Sequence, residues 1–148
     1  MTLCDYFSAA DDQAAVAVLR TPGGPGQAEL DVVFLKNVDP VVAIAQLEAV
    51  MTGRGYEEVS GHPRSGRLLS SAEDGPPFVV GVSDALFDAL ASATEDDLVR
   101  FAVPWSLTDE LRQIPVSAET AAGVLKSLAG LAQRARASGL RLYCWWSL

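Results

Sequence analysis

The last nine residues, 140–148 (LRLYCWWSL), constrain the fold more than any other part of the chain. Side chains of an extended strand alternate between its two faces, so one face of this segment is entirely apolar. An aromatic, β-prone terminus also costs too much exposed apolar area to be left loose. We therefore predict a strand that is tied into a sheet, with Trp146 in the core and Trp145 only partly covered on the opposite face.

Local signals elsewhere predict helices separated by short strands. Apolar, β-branched runs predict the strands, and capping residues, helical apolar spacing and Pro or Gly stops predict the helices. The strands are predicted at residues 2–7, 30–35, 78–82 and 140–148. The helices are predicted from a Ser8 cap to Arg20, at 41–52, at 84–91, from a Thr94 cap to a break at Pro104, from a Thr108 cap to a stop at Pro115, and at 118–137.

A chain of 148 residues, of which 49% are hydrophobic and 20% charged, has the usual size and composition of one globular domain. No repeat or change of composition indicates a second one. We therefore expect residues 1–148 to form a single α+β domain in which several helices pack around a small mixed β-sheet that includes the C-terminal strand.

The charge of the chain is acidic and unevenly distributed. The net charge is −8, and residues 72–119 alone carry −8. Nucleic acid binding requires clustered Lys and Arg to neutralise phosphates, so we expect no nucleic acid partner. We expect a basic protein partner for this acidic region, and a homo-oligomer is the alternative.

Cellular location and cofactors follow from what the sequence lacks. It has no apolar run long enough to cross a bilayer and no basic segment at its start, so we expect a cytoplasmic protein without membrane association. Cys4 and Cys144 are too few for a disulfide framework and lack metal-site spacing. Phosphate-loop, nucleophile-elbow and zinc motifs are absent, so we expect neither cofactor nor metal.

The order of these landmarks resembles the YfbM-like family of uncharacterised bacterial proteins. The resemblance rests on an aromatic start at Tyr6 and Phe7, a helix that closes in the pair Thr52 and Gly53, a strand leading into paired helices, and a long last helix before an apolar strand. It covers nearly the whole chain and implies an α+β fold with helices around a small sheet. It implies no activity, because that family offers no catalytic residues to carry over.

Residues 53–77 form the segment with the best prospects for a binding site. Their Gly, Ser and Pro content predicts an irregular loop, and a loop of that length is uncommon in a compact domain unless it is functional, mobile or locally structured. Within it, His62 lies close to Arg64 and Arg67, which together with backbone N–H groups could hold a phosphate or carboxylate. The alternative is a solvated loop whose arginines pair with nearby acids.

Two functional hypotheses follow. The first is a small acidic cytoplasmic binding or protein-interaction protein without catalysis, comparable to inhibitors and immunity proteins, with Trp145 as a candidate contact residue. The alternative is an enzyme or a binder of small anionic ligands that uses the loop around His62. A closed pocket lined by His62, an arginine and a buried carboxylate would favour the alternative.

Overall fold

The computed structural model describes residues 2–28, 30–113 and 116–148 and confirms the α+β fold class. Helices cover one face of a four-stranded sheet that includes the C-terminal strand. The strands are β1 (Leu3–Ala9), β2 (Val32–Lys36), β3 (Phe78–Gly81) and β4 (Arg141–Ser147). The helices are α1 (Asp12–Ala17), α2 (Ala43–Thr52), α3 (Tyr56–Ser60), α4 (Asp84–Ser92), α5 (Glu95–Ser106), α6 (Asp109–Arg112) and α7 (Ala118–Ala137), with 3-10 turns at Val18–Arg20 and Ala72–Asp74.

The sheet has the strand order β2-β1-β4-β3, and each neighbouring pair runs antiparallel. The two central strands are therefore the first and the last of the chain, with Tyr6 opposite Cys144. We predicted a mixed sheet, whereas the observed sheet is antiparallel. The alternation that reveals a strand is the same in both kinds of pair, so it could not give the strand direction.

The main core lies between the sheet and helices α2, α4, α5 and α7. Leu125, Leu128 and Leu131 of α7 belong to the same buried cluster as Leu142 and Cys144 of β4. The last helix and the last strand therefore pack as one unit. The short connection at Gly139, whose φ of +70° is a left-handed conformation, returns the chain directly from the helix to the strand.

The opposite face of the sheet is also covered, by α1, the following 3-10 turn and the loop at residues 21–28. Phe7, Tyr143 and Trp145 form a second buried cluster there. Gly24, at φ +86°, lets the loop approach so closely that a Cβ at this position would lie 2.9 Å from the Trp145 ring. Trp145 is therefore only 8% exposed, whereas Trp146 is partly buried. The predicted order of burial is wrong because a distant loop covers the second face.

Two predicted helix boundaries also differ. The first helix is capped by Asp11, which accepts a hydrogen bond from the Ala14 N–H at 2.8 Å, and not by Ser8, which still belongs to β1. Helix α5 continues through Pro104 to Ser106. Pro104 has no N–H to donate to the Arg100 carbonyl, and buried Trp105 anchors this last turn instead by donating to the Ala43 carbonyl at 3.1 Å. The predicted stop at Pro115 lies outside the described residues.

The segment at residues 53–77 contains more structure than an irregular loop. It includes α3 and the 3-10 turn Ala72–Asp74, and Leu68 forms an isolated antiparallel bridge with Val80 of β3. Its centre, at residues 61–66, consists of turns and a bend and carries His62 and Arg64, and Arg67 follows directly.

Asp5 is a buried carboxylate in the middle of the sheet. It lies on the second face of β1, opposite Trp145 on one side and Phe34 on the other. No hydrogen bond or ion pair reaches it from the described residues, and burial raises the pKa of its carboxyl group above the usual range. Ionising Asp5 therefore opposes folding.

Trp145→Ala should lower the free energy of unfolding by about 3 to 5 kcal/mol, because it leaves a cavity between the sheet and the Gly24 loop. Trp146→Ala should cost no more, since Trp146 is more exposed and its buried indole N–H has no partner within the described residues. Urea unfolding monitored by circular dichroism tests the order, with Trp145→Phe as the control that keeps a ring. A clearly larger loss for Trp146→Ala would contradict it.

Asp5→Asn should stabilise the protein at pH 7. A raised folded pKa means that the wild type is most stable with Asp5 protonated, and that this advantage is lost as the pH rises through the folded pKa. The amide keeps the shape without the buried charge. The urea midpoints of wild type and variant should therefore differ more at pH 7 than at pH 4. A difference that is larger at pH 4 would show that Asp5 has an unrecognised stabilising partner.

Candidate functional site

His62 lies in a tight turn that follows α3. Its side chain is exposed, and its Nδ1 atom accepts a hydrogen bond from the backbone N–H of Arg64 at 3.2 Å. A nitrogen that accepts cannot carry the proton in the neutral ring, so Nε2 holds it. The turn thus directs Nδ1 toward its own backbone and leaves the Nε2 side of the ring facing outward.

Arg64 is engaged by a distant carboxylate. Its Nη1 and Nη2 atoms bind the two oxygens of Asp12 in α1 at 2.8 and 2.6 Å. The Tyr143 hydroxyl donates to the same carboxylate at 2.9 Å. The guanidinium also lies against Gly81, where a Cβ would be 3.3 Å from Nη2. Arg64 therefore fastens the His62 turn to the sheet and to α1.

These contacts shift two pKa values in opposite directions. The Arg64 guanidinium, followed by the Tyr143 hydroxyl, lowers the pKa of Asp12 to about 2. Burial, and then the bond to Asp12, raises the pKa of Tyr143 to about 12. Asp12 is thus an anion and Tyr143 a neutral donor across the physiological range.

A small cleft of about 160 Å³ lies between the end of α2, the His62 turn and the start of α4. On its floor, the Ser83 hydroxyl donates to Glu48, a carboxylate that is only 5% exposed. Ser83 also caps α4 by accepting from the Leu86 N–H at 3.2 Å. The lining consists of Glu48, Arg54, His62, Arg64, Ser83, Asp84 and Ala85.

The charges of this cleft are mixed. Arg54 is its one cation without a carboxylate contact among the described residues, because Arg64 is bound to Asp12. Glu48 and Asp84 oppose the entry of a simple anion. The volume is also below the roughly 300 to 1,000 Å³ typical of small-molecule pockets. The cleft is therefore suited to an ion or a very small polar molecule.

The structure brings two of the four predicted site residues together. His62 and Arg64 line the cleft, whereas Arg67 and Trp145 do not. The Arg67 carbonyl accepts a hydrogen bond from the Gly81 N–H at 3.2 Å along the edge of β3, and its side chain is exposed. Trp145 lies in the second buried cluster, beneath the Gly24 loop.

A second candidate site lies on the outer face of α5. Leu98, Ala102 and Trp105 turn into the core, and an apolar stripe at four-residue spacing faces solvent on the other side. Its C-terminal residue, Leu107, is 65% exposed. The stripe consists of Val99, Val103 and Leu107. The four-residue spacing of the stripe is present in the sequence, but the helix break predicted at Pro104 separates Leu107 from Val99 and Val103 and so conceals it.

The stripe runs into a shallow groove of about 400 Å³ between α2, α3 and the start of α6. Tyr56 stands half-exposed on one wall, and the buried Oε1 atom of Gln46 has no hydrogen-bond partner within the described residues. We call the stripe and this groove together the α5 surface. The groove is lined by Gln46, Ala49, Val50, Tyr56, Leu107, Thr108 and Asp109.

The α5 surface is flanked by acids. Residues 95–110 contain five carboxylates and one basic residue, Arg100, which pairs with Asp97 at 2.7 Å and stacks on Phe101. Glu57 and Glu58 in the first turn of α3 add two exposed carboxylates beside Tyr56 in the sequence. An apolar stripe with an acidic rim is typical of a protein-binding surface.

Metal and membrane sites find no support in the described ranges. Among these residues, no three His, Cys, Asp or Glu side chains come close enough together to bind a metal ion. Nor does any described helix combine the length and the apolarity that crossing a membrane requires.

Comparison with known proteins gives no match to a family model, a curated protein or a solved structure.

Asp12→Asn should destabilise the protein at pH 7 by about 1 kcal/mol, the upper end for a partly exposed ion pair. Because the folded pKa of Asp12 is about 2, its contribution is complete above the unfolded pKa and is lost as the pH falls from about 4 through 2. The difference from wild type should therefore shrink across that window.

Urea midpoints between pH 2 and pH 7 test this. The matched control is Asp88→Asn, since Asp88 is an exposed acid of α4 without an ion pair among the described residues. It should leave the midpoint nearly unchanged. An Asp12→Asn midpoint equal to wild type at pH 7 would mean that the Arg64 contact does not stabilise the fold.

Proposed function

We propose that the protein is a non-catalytic binding domain that recognises a basic segment of another protein at the α5 surface. The observation that carries the proposal is the exposed stripe of Val99, Val103 and Leu107 leading into a groove. Apolar side chains that stand alone on a surface need no explanation, but a continuous row of them indicates an interface.

The apolar stripe supplies the affinity in this proposal. Covering Val99, Val103 and Leu107 removes apolar area from water at about 25 cal/mol per Å². Tyr56 adds an aromatic ring on the groove wall, and aromatic residues are frequent hot spots in interfaces. A partner with two or three apolar residues at helical spacing fits such a row.

The flanking charges favour a basic partner. The five carboxylates of residues 95–110 attract Lys and Arg, which raises the association rate and disfavours acidic competitors.

We extend this proposal to the cellular role, the location and the family of the protein. An acidic domain that masks a basic segment acts as an inhibitor or immunity protein does. The free thiols of Cys4 and Cys144 suit the reducing cytoplasm. Membership of the YfbM-like family of bacterial proteins is likewise a proposal, supported by the layout of helices around a small sheet.

A small-ligand binder or enzyme that uses the His62 turn is the second candidate function. The buried Glu48 favours it, because a carboxylate on the floor of a cleft with Arg54 and His62 at the rim can hold a molecule that carries both charges. Titration with glycine, acetate and methylammonium, followed by amide NMR, separates the cases. Saturable shifts at Ser83 and Ala85 with glycine alone would support this candidate.

A 16-residue peptide with Leu at positions i, i+4 and i+8 and Lys on its remaining face should bind the α5 surface with micromolar affinity. Binding should weaken steeply between 50 and 300 mM salt, because exposed charges are screened. Two matched peptides test the two components, one with Glu in place of Lys and one with Ser in place of Leu, and neither should bind. Isothermal titration and amide NMR shifts measure affinity and location.

Leu107→Glu should weaken binding at least tenfold, since it places a charge where the apolar row meets the groove. The matched control is Leu148→Glu, because Leu148 is 66% exposed and lies away from the groove lining. Both should unfold at nearly the wild-type urea midpoint. The proposal fails if the peptide with Ser in place of Leu binds as tightly as the Leu peptide. It also fails if the Leu107→Glu variant binds the Leu peptide as tightly as the Leu148→Glu control does.

A further inference from the structure

The two edges of the sheet are treated differently. The outward groups of β3 are satisfied by the segment before it, because the Leu69 N–H donates to the Val79 carbonyl at 2.8 Å and the Gly81 N–H donates to the Arg67 carbonyl at 3.2 Å. The Val79 N–H donates to the Ser70 hydroxyl at 3.1 Å. The β3 edge is thus closed to further pairing.

The β2 edge is open. The Asn37 N–H donates to the Thr2 carbonyl at 2.9 Å, and this bond fixes the phase of the β1–β2 ladder. Alternate residues point the other way in an antiparallel pair, so the N–H and C=O groups of Val32, Phe34 and Lys36 face outward. No backbone hydrogen bond from the described residues reaches these groups.

Exposed apolar side chains gather at this same edge. Phe34 is the most exposed large hydrophobic residue of the described chain, at 67%. Leu30 lies just before β2, and Leu3 lies on β1 opposite Lys36 of β2. Each of these two side chains is more than a third exposed. An open strand edge with an exposed phenylalanine at its centre is a template for strand addition.

We propose that the occupant is a second copy of this chain, paired antiparallel through β2 about a two-fold axis at Phe34. In this register Phe34 lies opposite Phe34 of the second copy, and Val32 lies opposite its Lys36. The three residue pairs are of the hydrogen-bonded type, so they form six backbone hydrogen bonds. Every outward group of the five-residue strand then has a partner, which no other antiparallel register achieves.

The local charge supports self-pairing at this place. Residues 32–36 carry Lys36 and no carboxylate, whereas the chain as a whole repels its copies with a net charge of −8. The two Lys36 residues lie four positions apart along the paired strands, at about 13 Å, which exceeds the Debye length in physiological salt.

The size of the contact sets the strength. Two five-residue strands with a Phe34 pair bury less than the roughly 1,200 Å² of stable complexes, so the dimer is weak and depends on concentration. The resulting sheet has eight strands, within the usual range. The proposal does not depend on the function assigned to the α5 surface.

Sedimentation velocity of the full chain between 10 and 500 µM in 150 mM salt tests the proposal. The mass should rise from monomer toward dimer, with a dissociation constant of about 100 µM. Hydrogen exchange gives the register, because the amides of Val32, Phe34 and Lys36 should become protected at least threefold on concentration. Those of Val33 and Leu35, already bonded to β1, should not change.

Phe34→Lys should abolish the dimer, since it places two like charges at the axis, about 5.5 Å apart between Cα atoms. Leu148→Lys is the matched control, because Leu148 has nearly the same exposure, and it should dimerise as wild type does. Circular dichroism confirms that both fold. A monomer at all concentrations, dimerisation without protection at the three outward amides, or dimerisation of Phe34→Lys overturns the proposal.

Discussion

The pairing of the first strand with the last holds the whole fold together. Seven residue pairs join β1 to β4, from Leu3 opposite Ser147 to Ala9 opposite Arg141. Closing a loop of this length is entropically expensive, and the cost is recovered only when the segments between the strands pack on both faces of the sheet. Helices α2, α4, α5 and α7 therefore depend on a contact between the two ends of the chain.

Burial on both faces also explains where the polar groups go. Within the main core, the Tyr6 hydroxyl donates to the Val38 carbonyl at 2.6 Å, and burial raises the pKa values of Tyr6 and Cys144, so both stay neutral. On the second face, the Tyr143 hydroxyl donates to Asp12 at the rim, but the Asp5 carboxyl has no partner among the described residues. Placing Asp5 at the centre of β1 thus lowers the free energy of unfolding. Burial of the flanking aromatic side chains outweighs this loss.

Local signals in the sequence were sufficient for most of the elements. Thr94 caps the helix that it was predicted to cap and forms a reciprocal capping box with Asp97, and Ser83 and Ser117 cap the helices predicted directly after them. Such signals act within one helical turn, so they are readable from neighbouring residues. Strand direction depends on pairings between distant segments, and the burial of Trp145 depends on the Gly24 loop, more than a hundred residues earlier, so neither was readable in this way.

The candidate sites show the same division. The sequence placed His62 and Arg64 in one turn, but it could not show that Arg64 is held by Asp12, 52 residues earlier. Because of that contact, Arg64, which we expected to bind an anion, holds its turn to α1 instead. Arg54 and Glu48 remain as oppositely charged side chains that line the cleft. The α5 stripe was missed for the opposite reason, because a local rule about proline ended the helix one turn too soon.

The two apolar surfaces differ in charge, and this decides what each can bind. The α5 surface has an acidic rim, so a second copy of this acidic chain is repelled there while a basic partner is attracted. The β2 edge carries Lys36 and no carboxylate between residues 32 and 36, so the paired strands themselves bring no carboxylates together. Charge thus separates self-pairing from partner binding on one small domain, and both can occur at once without competing for the same residues.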